Sequence, residues 1–230
     1  MASKLLIVVG SGPGIGVGTA SVFAANGFTH IALLSRNAER LLTDAKTVQQ
    51  STPAAHVTTH PVDVADSAKL GEVLKAIEGE LGAPECVLYN ASKLGLSEVG
   101  EYSVEDYLED FKIANVGLYQ TATWALPLLV SQHKKSPTSH PSFFITNGSL
   151  YFNPRPAIFS LAVQKAAQYS LSKSLAAKYG PEGVHVGTVV VGVRVSPDSE
   201  EASPTKIGTE FLTLYSQPED KWEFERRVGC

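Results

Sequence analysis

Sulfur and tryptophan are scarce in this 230-residue chain, which has two cysteines, one methionine and two tryptophans. Cys86 lies inside an apolar run and Cys230 is the last residue, so no disulfide framework is implied. A reducing, cytoplasmic setting is the expectation. Long apolar runs are also missing. The first, residues 5–9, is too short for a signal peptide or a membrane span, and no membrane association is expected. Positive charge is not in excess. With 19 Lys and Arg against 23 Asp and Glu, the net charge of −4 leaves no basic stripe to neutralise phosphates, which argues against nucleic-acid partners. No two of the six histidines have metal-ligand spacing, so no metal site is expected. Internal repeats and linkers are absent.

What is present is an ordinary globular composition, 43% hydrophobic and 18% charged, in a chain sized for one domain over residues 1–230. Short runs rich in Val, Ile and Phe occur at 5–9, 30–35, 56–62, 86–89, 143–146 and 185–191. Helix-length segments lie between them, at 15–26, 38–51, 67–81, 104–133 and 160–179. This alternation predicts βαβ units, hence a doubly wound α/β sandwich around a parallel sheet. Continuous apolar runs, rather than alternating ones, predict strands buried on both faces. Residues 134–141 read as a polar loop and 197–204 as a flexible segment.

Val9-Gly10-Ser11-Gly12-Pro13-Gly14-Ile15-Gly16 follows the first predicted strand and opens the first helix. Glycines there let the backbone turn sharply and approach a pyrophosphate, which then rests on the helix N-terminus. The second strand ends in Ser35-Arg36. A carboxylate at this place would bind a ribose 2′-hydroxyl, whereas a hydroxyl and a guanidinium suit a 2′-phosphate. NADP(H) is the expected cofactor.

These motifs resemble the short-chain dehydrogenase/reductase superfamily. Gly10, Gly14 and Gly16 look like its TGxxxGxG glycines, with Val9 in place of Thr. Asp63-Val64 resembles its adenine-bracketing pair. Asn90-Ala91-Ser92 resembles its NAG motif with the last Gly lost. Asn115 matches the helix asparagine and Ser149 the carbonyl-polarising serine, while Gly192 and Ser196 look like a remnant of the nicotinamide clamp. The resemblance runs from about residue 5 to 196 and implies a Rossmann-type, seven-stranded fold, an NADP(H) site, a small-molecule substrate and a homodimer or homotetramer.

The family works through a Tyr-x-x-x-Lys motif, whose tyrosine passes a proton and whose lysine holds the nicotinamide ribose. Tyr169 and Lys173 fit it literally. Spacing rejects them, because Lys165-Ala166-Ala167 stands the right distance before Gly180-Pro181 and Ser149 precedes position 161 by twelve residues. The register is therefore Leu161 to Lys165, and the proton-transferring tyrosine is replaced by an alkyl side chain. Tyr169 is expected to be a packing or subunit-interface aromatic. Tyr151, two residues after Ser149, is the leading stand-in for the proton donor, with Ser160, Asn153 and Arg155 nearby; the competing reading of Tyr151 is a loop aromatic packed on the helix.

The expected site thus comprises Asn115, Ser149, Lys165 and Tyr151 for chemistry, with Gly10, Gly12, Gly14, Ile15, Gly16, Ser35, Arg36, Asp63, Val64, Asn90, Ala91, Lys165, Gly192 and Ser196 for the cofactor. Residues 197–220 are expected on the substrate side, with Ile207, Phe211, Leu212 and Leu214 forming either a pocket wall or plain core. The implied activity is an NADP(H)-dependent oxidoreductase on a small apolar carbonyl or alcohol. The alternatives are a non-redox cyclase or isomerase and an NADP(H)-binding regulatory protein.

Overall fold

The computed structural model describes residues 4–230. Seven strands form one parallel sheet: β1 (Leu5–Val9), β2 (His30–Ser35), β3 (His56–Pro61), β4 (Cys86–Tyr89), β5 (Ser142–Gly148), β6 (His185–Val191) and β7 (Glu225–Val228). Their order is β3-β2-β1-β4-β5-β6-β7, so the winding reverses between β1 and β4. Helices α1 (Ile15–Ala25), α2 (Ala38–Ser51) and α7 (Pro204–Tyr215) cover one face. The other carries α3 (Ser67–Leu81), α5 (Gly117–Lys135) and α6 (Phe159–Tyr179), with the short α4 (Val104–Phe111) leading into α5. This is the expected three-layer sandwich. Among the described residues, no helix is long and apolar enough to cross a membrane.

The strand pattern has a direct physical reading. Leu5, Ile7 and Val9 belong to the core under α3, α5 and α6, while Leu6 and Val8 belong to the core under α1, α2 and α7. Alternate side chains enter different cores, so every position of β1 must be apolar. Register then aligns the loops. Val9 pairs with Leu34 and with Tyr89, so Gly10, Ser35 and Asn90 leave the sheet side by side at its carboxyl edge.

One expectation about helices needs correction, and one open alternative is decided. The segment 104–133 is not one α-helix, because a π-turn at Lys112–Val116 interrupts it. The wider turn leaves carbonyls without their usual partners: Ile113 O accepts from the Tyr89 hydroxyl, and Ala114 O accepts from Gln168 Nε2 at 2.8 Å. Further on, Ile207, Phe211 and Leu214 of α7 are fully buried against α1 and the sheet. Glycines bring the two helices together: a Cβ on Gly18 would lie 2.5 Å from the Pro204 carbonyl carbon, and one on Gly208 would lie 2.9 Å from Gly18 O. Hence α7 is core.

Candidate active site

A cavity of about 820 Å³ opens at the carboxyl edge of the sheet, where the winding reverses. Open parallel sheets bind ligands at this place. Its walls come from the loops after β1 (Gly12, Gly14, Ile15), β4 (Asn90, Ser92, Leu94), β5 (Ser149, Leu150) and β6 (Gly192 to Val195), with Leu161 and Lys165 of α6.

The glycine turn is built for close approach. Gly10 adopts φ +95°, and a Cβ there would meet Ala91 N at 2.5 Å, so only glycine fits between β1 and β4. Asn90 Nδ2 donates to Gly10 O at 2.8 Å and ties the two loops together. Side chains on Gly12 and Gly14 would meet nothing within 4 Å and would stand in the cavity. Asn37, Asp66, Ser103 and Ser203 cap α2, α3, α4 and α7 with their own side chains. No side chain caps α1, and its first amides and positive dipole end face the cavity loops. These features fit the pyrophosphate of a dinucleotide.

At the end of β2, Ser35 is buried and its Oγ accepts from Arg40 Nη2 at 3.1 Å. Arg36 is exposed, and neither arginine forms an ion pair among the described residues. Arg40 was missed in the sequence because it lies a turn into α2, although Asn37 caps that helix through Arg40 N at 2.9 Å. Asp63 Oδ1 accepts from Ala65 N at 3.0 Å and shapes the turn after β3, while Val64 is buried in the core. After β6, Gly192 N donates to Val228 O at 2.9 Å, and Ser196 N donates to Ala202 O at 3.3 Å.

Ser149, Leu161 and Lys165 share the cavity, and Leu161 is only 8% exposed. Lys165 is buried. Its Nζ donates to Ser92 Oγ at 2.8 Å, Gln168 Oε1 at 2.9 Å and Thr146 O at 3.0 Å. No carboxylate among the described residues neutralises it, and burial pulls its ammonium down to about 7. Ser92 and Gln168 are partners the sequence reading did not single out. Asn115 sits in the π-turn, buried, with Nδ2 3.5 Å from Gln164 O and Oδ1 without a partner among the described residues.

Of the stand-in donors named from sequence, Arg155 lines the cavity, whereas Tyr151 and Ser160 are turned elsewhere. Tyr151 stacks on Tyr169 at 4.0 Å, donates to Glu225 Oε2 at 3.2 Å and accepts from Arg227 Nη2 at 3.3 Å. It faces β7, not the cavity wall, so the structure places it as a packed loop aromatic. Burial, then Tyr151 and Glu225, push the Tyr169 phenol up, opposite to an activated tyrosine. Lys173 Nζ lies 5.2 Å from the centre of the Tyr169 ring, so the literal motif is a surface cation–π pair. Ser160 donates to buried Asp110 Oδ2 at 2.6 Å, which also accepts from Tyr102 at 2.9 Å, while Lys93 pairs with Oδ1 at 3.1 Å. That network pins α6 to α4. The segment 197–220 contributes no side chain to the cavity wall, which ends at Val195.

The model of the short chain dehydrogenase family matches residues 4–206. The chain belongs to that family. An uncharacterised oxidoreductase of Staphylococcus aureus (strain USA300) is 24% identical over 229 residues, covering 95% of this chain and 93% of the relative. Among solved structures, a short-chain dehydrogenase from Rhodopseudomonas palustris superposes with a TM-score of 0.85 at 18% identity, covering 100% of both chains. A Pseudomonas aeruginosa PAO1 short chain oxidoreductase with NADPH bound and an atypical catalytic centre also superposes at 0.85, with 21% identity, covering 98% of this chain and 95% of that one. These likenesses show the fold; the chemistry rests on the residues.

Proposed function

We propose that the protein is an NADP(H)-dependent oxidoreductase acting on a small, apolar carbonyl or alcohol. The observation that carries this reading is the shared cavity of Ser149, Leu161 and buried Lys165 beside an uncapped α1. When bound, the nicotinamide supplies or accepts the hydride. The chain's own residues do the rest. The turn from Gly10 to Gly16 and the first amides of α1 hold the pyrophosphate, and Ser35, Arg36 and Arg40 hold the 2′-phosphate. Asp63, Val64, Asn90 and Ala91 flank the adenine half. Gly192 and Ser196 lie on the nicotinamide side, with Lys165 at the ribose and Asn115 supporting local water. Ser149, whose hydroxyl makes no hydrogen bond among the described residues, orients the substrate oxygen. Leu94, Leu150, Ile158 and Leu161 offer an apolar wall to the substrate body.

Absorbance of NADPH during incubation with a panel of carbonyl compounds tests the reading. Turnover is the expected result. Leu161→Tyr should then raise the rate on simple carbonyls by ~10-fold or more, because acid catalysis is worth about 10²–10⁴. One observation favours a second reading: an alkyl side chain stands where a proton donor is needed. NADPH bound but never oxidised, with a substrate cyclised or isomerised, would select that non-redox alternative.

A further inference from the structure

Two departures from the family pattern, Ser92 for glycine and Leu161 for tyrosine, line the same cavity. They meet at Lys165. Of the three acceptors around its Nζ, Thr146 O and Gln168 Oε1 are carbonyls with no proton to pass on. Ser92 alone both accepts from Lys165, at 2.8 Å, and owns a hydrogen to give. Its hydroxyl donates to no described residue, so that hydrogen is free for a ligand in the cavity. The other hydroxyls fail on position or on supply: Tyr151 is bound to Glu225, Ser160 to Asp110, the Thr146 hydroxyl is buried, and Ser149 has no cationic partner among the described residues to restore its proton.

We propose, building on the reductase reading, that Ser92 is a catalytic residue which, resupplied by Lys165, donates the proton a tyrosine would otherwise deliver to the substrate oxygen. The balance is simple. A carbonyl carbon takes a hydride equivalent from reduced nicotinamide dinucleotide and its oxygen becomes negative. The Ser92 O–H bond breaks as the substrate O–H bond forms, yielding the alcohol. Lys165 Nζ–H then restores the Ser92 proton, and the neutral amine regains one from solvent. Burial makes the lysine a competent source, since an ammonium brought down to about 7 gives up its proton near neutral pH. Reduction should therefore slow as pH rises through about 7, where Lys165 loses its proton. Alcohol oxidation should follow the opposite course.

The experiment compares wild type with Ser92→Ala, Ser92→Thr and Ser92→Ala/Leu161→Tyr. Steady-state NADPH oxidation, NADPH affinity by calorimetry and Lys165 titration by NMR in cofactor-free protein are followed. Ser92→Ala should lower kcat about 10²-fold at unchanged NADPH affinity, while Ser92→Thr stays within a few fold. Tyrosine at 161 should restore the Ser92→Ala rate. In cofactor-free protein, Ser92→Ala should lower the Lys165 pKa, because the ammonium loses an acceptor. Full activity of Ser92→Ala, or an unmoved Lys165 titration, overturns the proposal while leaving the reductase reading intact. Loss of NADPH affinity in step with kcat also overturns it, by making Ser92 a positioning residue only. A wild type that binds NADPH and oxidises none overturns the reductase reading itself, and the Ser92 route with it.

Discussion

Two guanidinium groups frame Ser35 at the end of β2, Arg36 beside it and Arg40 one helical turn on, with Arg40 already bonded to the Ser35 hydroxyl at 3.1 Å. Neither pairs with a carboxylate among the described residues, so neither must give up such an ion pair to meet a phosphate. A charged hydrogen bond contributes roughly 1.5–3 kcal/mol, or about 10- to 100-fold in affinity. Wild type should bind NADPH more tightly than NADH by calorimetry, and Arg36→Asp should reverse the order. Arg40→Ala should weaken NADPH by about 10-fold and leave NADH unchanged. Equal affinities in wild type would refute the assignment. Residues of this kind differ in how well the sequence displays them. Ser35 and Arg36 follow a strand and sit in a motif, whereas Arg40 looks like any solvated helix charge. Lys165 was legible through spacing alone, and its partners were not: Ser92 meets it only once the loop after β4 folds against α6, and Gln168, one turn on in the same helix, looks like any helix glutamine.

At the scale of elements, apolar runs located six of the seven strands and most of the helices, because burial on both faces of the central strands leaves a continuous signature; β7, Glu225–Val228, is mostly charged and carries no such run. Periodicity could not locate the π-turn at Lys112–Val116. That turn depends on Tyr89 and Gln168 offering donors to its spare carbonyls, and both come from other elements. Nor could it orient α7, whose amphipathic stripe suits a pocket wall as well as a core. Orientation comes from Gly18 and Gly208, which let α1 and α7 touch through their backbones. Gly18→Leu should therefore destabilise the protein by about 1–3 kcal/mol through overpacking. For a chain of this size that corresponds to a fall of roughly 2–12 °C in Tm. Calorimetry of the variant checks it, and an unchanged Tm would show that the helices separate without cost.

For the whole molecule, one group of exposed apolar side chains lies along α4, α5 and α6. Leu108 on α4 is 53% exposed and Tyr119 on α5 is 58% exposed, and Val104, Val116 and Val163 are also open to solvent. Asp110 and its partners Ser160 and Lys93 fix α4 against α6 just beneath that face, so it is presented as a rigid surface rather than a loose one. Apolar side chains held this way lose little freedom on association, and a twofold axis would set each helix pair against its copy. A dimer or tetramer is the expected state, as the family resemblance implies. The cavity lies at the carboxyl edge of the sheet, built from one chain's own loops. Assembly and cofactor binding should therefore separate. Leu108→Arg combined with Tyr119→Arg should convert the oligomer to a monomer in light scattering at micromolar concentration, with NADPH affinity kept within a few fold. A wild type that is already monomeric there would refute the assembly, and a variant that loses NADPH binding together with its partner would show that the two are coupled.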